Sequence, residues 1–454
     1  MPVRDIYGRA TTTLLLAFLL VLCAGCTGTE QSADASDKTA ETGCRTAVDS
    51  YAPVVYGDAN GDGRIDQQDV DYVEGVIKGI NARTTLSDAN YDGEIDEVDI
   101  LQIKRIINGT QTELTLLDMD GRPVTVPQPV DRVLAIGFGF IEETMFVLGV
   151  EDKLVGTGGS NRSPTARYLI PELTKFPDAG SIAMGINYET VAAADPDLVI
   201  IRKNPYFQER GDKVVEIIET LDIPVVVLRD PNHFHTSDIT TLYQEIGLLG
   251  RIFDKTESAQ QLIDEMDESV ASITDRTRDI KEEDRPRVLF CGLGSSGTRD
   301  KGGVLVVWAK ECASTFADLL NIKSAYEGTG RNCLSAEHVL NLNPDVIILE
   351  TSSGGIHIRQ LYEEEHYKNI QEVTALQEHR VYSIGWLTLC GDIQLELPII
   401  LMIEAKGTYP ERFNDINASE WIEKYYMTIY DIREDDAKNL KELHGLAWID
   451  SYGF

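Results

Sequence analysis

Two stretches of the chain place oxygen-bearing side chains at a spacing that suits a hard cation. Asp58 opens the string D-A-N-G-D-G-R-I-D-Q-Q-D, and Asp88 opens D-A-N-Y-D-G-E-I-D-E-V-D in the same register. Oxygens fall at loop positions 1, 3, 5, 9 and 12: Asp58, Asn60, Asp62, Asp66 and Asp69, then Asp88, Asn90, Asp92, Asp96 and Asp99. Calcium takes about six to eight oxygen ligands, and glycine at position 6 (Gly63, Gly93) permits the sharp turn that wraps a short loop around the ion. Without a cation, the carboxylates of each loop would repel one another. Two Ca2+ sites are expected.

The elements around these loops repeat as well. Position 8 is isoleucine in both (Ile65, Ile95), which suits a small apolar contact between the loops. Each loop runs into a helical pattern: Val70, Val73, Val76, Ile77 and Ile80, then Ile100, Ile103, Ile106 and Ile107. Two such loops, each with one following helix and Asp at position 12, resemble a type I dockerin module over residues 54–110. The resemblance implies a cohesin domain as partner. In that family positions 10 and 11 contribute to recognition. Here they are Gln67 and Gln68 in one loop and Glu97 and Val98 in the other, a mismatch that argues against a symmetric, two-way binding mode.

A second constellation lies after short apolar runs. Val133–Ile136, Leu154–Gly156, Leu198–Ile201 and Val225–Leu228 form one set of candidate strands, and Val288–Cys291, Val346–Leu349 and Val381–Ile384 a second. Such runs between helical segments predict parallel sheets, so the fold class is α/β. Residues 256–280 lack Gly and Pro, and Ala259, Leu262, Ile263, Met266, Val270 and Ile273 keep helical spacing. The expected architecture is two parallel-sheet lobes (113–253 and 286–454) joined by one long α-helix (254–285), with a small all-α, EF-hand-like module ahead of them. Residues 113–126, with Asp120-Gly121 inside, predict a hairpin.

The two sets share an echo: N-Y-E-T-V-A-A-A-D-P-D-L-V-I-I from Asn187 and S-A-E-H-V-L-N-L-N-P-D-V-I-I-L from Ser335. Both read cap, Glu, helix, Pro-Asp turn, core strand. With R-V-L-A-I-G-F-G-F-I-E-E-T-M-F-V-L-G-V from Arg132 and Y-P-E-R-F-N-D-I from Tyr409, the stretch from 113 to 430 resembles the cobalamin, siderophore and haem class of ABC-importer substrate-binding proteins. That resemblance implies a ligand held between two lobes, closure limited by the linking helix, and no enzymatic activity. It implies a metal chelate (iron-siderophore, haem or cobalamin) as cargo and an ABC permease as partner. Glu189 and Glu337 match the glutamates that dock on the permease, one from each lobe.

Ligands of open α/β sheets sit beyond the carboxyl ends of the strands. The candidate ligand-binding residues there are Phe138, Phe140, Arg162, Arg202, Lys203, Arg229, Arg299, Trp308 and Trp386. Guanidinium forks suit carboxylate, phosphate or catecholate oxygens, and the rings could stack on a flat macrocycle. His233 and His235 flank Phe234, and either a metal contact or a surface turn fits them.

The amino end reads as an address. Arg4 and Arg9 precede an apolar run, 10–24, that is too short for an ordinary membrane span. Small residues before Cys26 resemble a prokaryotic lipobox, which implies removal of residues 1–25, a lipid on Cys26 and an extracytoplasmic, lipid-anchored protein. Residues 26–53 read as a flexible tether. The net charge of −34 argues against nucleic acid as a partner. The acid is not uniform: residues 57–109 alone hold 12 acidic and 5 basic side chains, as calcium loops require, whereas the strand-end loops are basic.

Overall fold

The computed structural model describes residues 53–454 apart from 160–162, 205–206, 232–238, 294–301, 308–316, 331, 351–357 and 388–393. The signal, Cys26 and the tether therefore lie outside the described residues.

The calcium module consists of two loops, each running into a helix: α1 (Gln67–Ile77) and α2 (Glu97–Ile107). Position 9 of each loop is also the helix N-cap, and position 12 closes a capping box with it. Ala59, Val70, Val73, Ala89 and Ile103 form the small core, with Ile65 and Ile95 packed on it.

The predicted hairpin follows as β1 (Glu113–Leu117) and β2 (Pro123–Pro127), in antiparallel register. Lobe 1 is a four-stranded parallel sheet in the order β4-β3-β7-β8: β3 is Val133–Ile136, β4 Leu154–Gly158, β7 Leu198–Lys203 and β8 Val225–Arg229. A two-residue hairpin, β5 (Gly180–Ser181) and β6 (Gly185–Ile186), stands off this sheet. Residues of β3 and β7 are buried throughout, which is why the sequence shows continuous apolar runs instead of alternation. Helices α3 (Phe140–Val147), α4 (Pro164–Leu169), α5 (Tyr188–Ala194), α6 (Gln208–Glu219) and α7 (Ile239–Ile252) complete the lobe.

Helix α8 (Thr256–Thr274) links the lobes and buries all six residues of the predicted apolar series. It ends earlier than the expected residue 280. The three-and-four apolar spacing stops at Ile273, and Asp275 is the C-cap.

Lobe 2 contains β9 (Arg287–Leu293), β10 (Leu305–Val307), β11 (Lys323–Ser324), β12 (Asn332–Leu334), β13 (Val346–Leu349) and β14 (Val381–Ser383). Strands β11 and β13 lie parallel to β9, and β14 lies parallel to β13. The sheet is not wholly parallel, however. Antiparallel β10 and β12 extend its other edge, and three residues each are too few to leave a periodic signature.

The echo is a joint with the same wiring in both lobes. Asn187 and Ser335 cap the helices α5 and Ala336–Leu342, which end in left-handed residues, Asp195 (φ 49°) and Asn343 (φ 38°). The following Pro-Asp then ties the joint to the first strand of its lobe. Asp197 accepts from Asp131 N at 3.1 Å, and Asp345 accepts from Arg287 N at 2.8 Å. Arg132 and Arg287 each reach back to a helix-end carbonyl, Ala194 O at 2.6 Å and Leu342 O at 2.7 Å.

Candidate functional site: calcium loops and the strand-end edge

The two calcium loops have the same internal bonding. In the first, Asp58 Oδ1 accepts from Asp62 N at 3.1 Å and Oδ2 from Gly63 N at 3.0 Å. In the second, Asp88 accepts from Asp92 N at 3.0 Å and Gly93 N at 2.9 Å. Asn60 N donates to Asp69 at 3.1 Å, and Asn90 N to Asp99 at 3.2 Å. Gly63 and Gly93 have φ of 84° and 91°, as the wrapping turn requires. Tyr91 takes a left-handed φ of 59° where the first loop has Gly61, and its ring meets Tyr56 edge-on at 4.9 Å between centroids.

Like charges converge in these loops. Burial, and then the charges of Asp69 and Asp62, push the Asp58 carboxyl up. Asp69 and Asp99 are raised in the same way, by burial and then by Asp62 and Asp88 respectively. A donor set of carboxylates that destabilise one another fits a divalent cation bound by oxygen. Backbone bonds tie Asp58 to Asp62 and Asn60 to Asp69, and Asp88 to Asp92 and Asn90 to Asp99, while Asp66 and Asp96 cap the helices; among the described residues no group of three or more His, Cys, Asp or Glu side chains is already closed around a metal position.

The strand-end edge corrects part of the expected cleft. Phe140 is completely buried in α3, with the Arg202 guanidinium 3.9 Å from its ring centroid. Arg202 is itself buried, bonding Glu245 through Nε at 2.7 Å and Nη2 at 2.6 Å and pairing with Asp230 at 3.1 Å. Lys203 is buried between Asp120 and Asp212. These three side chains support the lobe and do not face a ligand. Their partners come from the hairpin tip, α6, α7 and the end of β8, and no local pattern marks them. Arg229 stays at the edge, part-exposed, with its Nε bonded to Asp120 at 2.8 Å. Burial opposes ionisation of Asp120, but the two cations hold its carboxyl below the usual range.

Phe138 and Trp386 remain as candidates. Phe138 is half-buried just beyond β3, at φ 52°, with its ring against Gly159 beyond β4. Trp386 is half-buried just beyond β14, its backbone N donating to His444 O at 2.9 Å. Arg162, Arg299, Trp308, His233 and His235 lie outside the described residues. Glu189 and Glu337 are both exposed, each the second residue of its helix, so the structure gives them matching places in the two lobes.

Sequence reasoning missed a buried polar seam that joins lobe 1 to the C-terminal helices. Ser163 donates to Glu143 at 2.5 Å, Thr165 to Glu396 at 2.6 Å, and Tyr430 OH to Glu396 at 3.0 Å. Burial, followed by the charge of Glu396, holds Glu143 well above the usual carboxylate range. Burial depresses His444, so its ring is neutral, and Nε2 then donates to Thr165 at 2.7 Å. The available signal was an acid inside an apolar helix, as in F-I-E-E-T-M-F-V and L-E-L-P-I-I-L.

The periplasmic binding protein family model matches residues 134–385, which is more than half of the chain. The chain belongs to the periplasmic binding protein family. The type I dockerin family model matches residues 56–108, so this binding protein also carries a dockerin domain. A molybdate-binding protein of Haemophilus influenzae, MolA, is 21% identical over 337 residues, covering 69% of this chain and 90% of that protein. Among solved structures, a periplasmic solute binding protein of Veillonella parvula aligns with TM-score 0.59 and 20% identity, over 75% of this chain and 99% of its own. Helicobacter pylori CeuE with Ni(II) bound aligns with TM-score 0.54 and 16% identity, over 72% and 98%. As a periplasmic binding protein, the chain is a non-enzymatic, extracytoplasmic solute receptor of an ABC importer. Among the described residues no helix is long and apolar enough to cross a membrane.

Proposed function

We propose that this binding protein captures a metal chelate (iron-siderophore, haem or cobalamin) between its lobes and delivers it to its permease from a lipid anchor at Cys26. The observation that carries the delivery step is the matched pair Glu189 and Glu337, exposed at the same position of equivalent capped helices. Two like-placed acids, one per lobe, suit basic sockets on the two halves of a permease. Phe138 and Trp386, one aromatic beyond a sheet of each lobe, suit the organic face of a chelate. A bare oxyanion is the second reading, favoured by the likeness to a molybdate-binding protein over 90% of that protein's length.

The dockerin adds a partner of its own. With both loops shaped for calcium, a cohesin domain would be bound on the exposed α2 face, where Val98 and Leu101 are each 48% exposed. Uptake measured with Glu189→Lys and Glu337→Lys together tests the delivery reading. Transport should be abolished with ligand affinity unchanged. Uptake at the normal rate would overturn the docking assignment.

A further inference from the structure

We propose that calcium in the first loop is a structural support of lobe 1, through a seam that makes the calcium module and the β1–β2 hairpin one folding unit. The proposal rests on the reading of the loops as calcium sites. The chain entering the first loop is bridged to β1 of the hairpin. Leu117 N donates to Val54 O at 2.9 Å and Tyr56 N to Thr115 O at 2.9 Å, with Val55 bridged antiparallel to Leu116. Val55 is buried in the same core as Leu114, Leu116 and Val126 of the hairpin and Ile106 of α2. Asp58, the first calcium ligand, follows two residues after Tyr56. Gly57 between them has φ 109°, and a Cβ there would meet Ile106, Ile103 and Ile65 at 3.4 to 3.6 Å. From α2, Gln102 Nε2 donates to Glu113 O at 2.8 Å.

The other end of the hairpin grips the lobe at its strand ends. Met119 N donates to Val227 O at 3.0 Å, Arg122 Nη2 to Val225 O at 3.0 Å, and Asp120 receives both Lys203 and Arg229. One short hairpin thus connects the first calcium loop to the cations at the edge of the sheet. Among the described residues the second loop has no such bridge. It reaches the seam through the Tyr91 ring on Tyr56 and, one step removed, through α2, which it caps and whose Gln102 and Ile106 meet the hairpin. Calcium removal leaves Asp58, Asp62, Asp66 and Asp69 uncompensated, and the segment at 54–56 loses the loop that anchors it. The two sites are therefore unequal in degree: the first is tied to the hairpin by backbone bonds beside its first ligand, so it bears on lobe 1 more strongly than the second. Linkage makes the coupling reciprocal, so a weakened seam must weaken calcium at the first loop.

Hydrogen exchange on the full chain, in calcium and in chelator, tests this. In chelator, and with Asp58→Ala plus Asp62→Ala in calcium, amides of 113–127 should exchange about tenfold or more faster. The second-loop pair, Asp88→Ala plus Asp92→Ala, should leave them nearer the wild-type rate. Leu116→Ala, which touches no calcium ligand, should weaken the first site about fivefold by calorimetry and the second less. If chelator frees the amides of 58–69 while 113–127 keep their protection, the seam proposal is wrong and the calcium reading stands. If calorimetry finds no calcium bound at either loop, the calcium reading itself fails.

Discussion

Asp120, at the tip of the β1–β2 hairpin, accepts a hydrogen bond from Arg229 Nε at 2.8 Å. The same carboxylate holds Lys203, which is 6% exposed. Two cations that sequence assigns to a ligand are thereby largely neutralised by two local acids, Asp120 and Asp212. The anion-binding capacity of this edge is correspondingly smaller than a count of its basic residues suggests.

Asp120→Asn removes the first of these acids and strands a buried ammonium with Asp212 alone. A loss of about 2 kcal/mol is expected, below the usual cost of breaking a fully buried pair because Arg229 and Asp212 are partly solvated. Urea unfolding measures it. A loss under about 0.5 kcal/mol would show that the hairpin tip is not a clamp.

Arg202→Met removes the buried guanidinium that Glu245 and Asp230 share. The cost is about 3–5 kcal/mol, enough to unfold many domains of this size. Circular dichroism melting checks it. A stable variant that merely loses ligand affinity would return Arg202 to the binding site.

Burial, and then the Glu396 charge, oppose ionisation of Glu143 and hold its carboxyl well above the usual range. Glu143→Gln should therefore cost less than about 1 kcal/mol, whereas Glu143→Ala, which opens a cavity beside Ser163 and Tyr430, should cost about 2–4 kcal/mol. Equal losses in the two variants would contradict a protonated acid.

Stability should also fall on the alkaline side. Burial pushes Glu404, in the helix Leu397–Thr408, up to about 8 from its ordinary value of 4.5. The folded chain keeps a proton there that the unfolded chain releases, so this contribution is complete below about pH 4.5 and is lost as pH rises through about 8. Glu404→Gln should flatten the decline in melting temperature between those values. An unchanged slope would place the titration elsewhere.

The fold was largely legible because burial writes itself into composition. Continuous β-branched runs marked the buried strands, and the Glu…Pro-Asp echo marked a joint whose hydrogen bonds repeat in both lobes. The calcium loops were legible because their ligands are local in sequence. The edge of the sheet was not. Arg202 finds Glu245 43 residues away, and Lys203 finds Asp120 83 residues away, so neither pairing has a sequence signature. Phe140 looks the same in sequence as Phe138, yet it opens helix α3 and turns into the core, while the left-handed turn at Phe138, ahead of the N-cap Gly139, keeps that ring at the edge. Strands β10 and β12 were too short to carry a pattern.

The two lobes are read as a receptor for a metal chelate, with a bare oxyanion as the second reading. Tryptophan fluorescence of the purified full chain, titrated with ferric siderophores, haemin, cobalamin and molybdate in the presence of calcium, tests it most directly. The account predicts saturable binding of at least one of them with a Kd below about 10 µM, weakened by Trp386→Ala. No binding of any of the four in that range would contradict it.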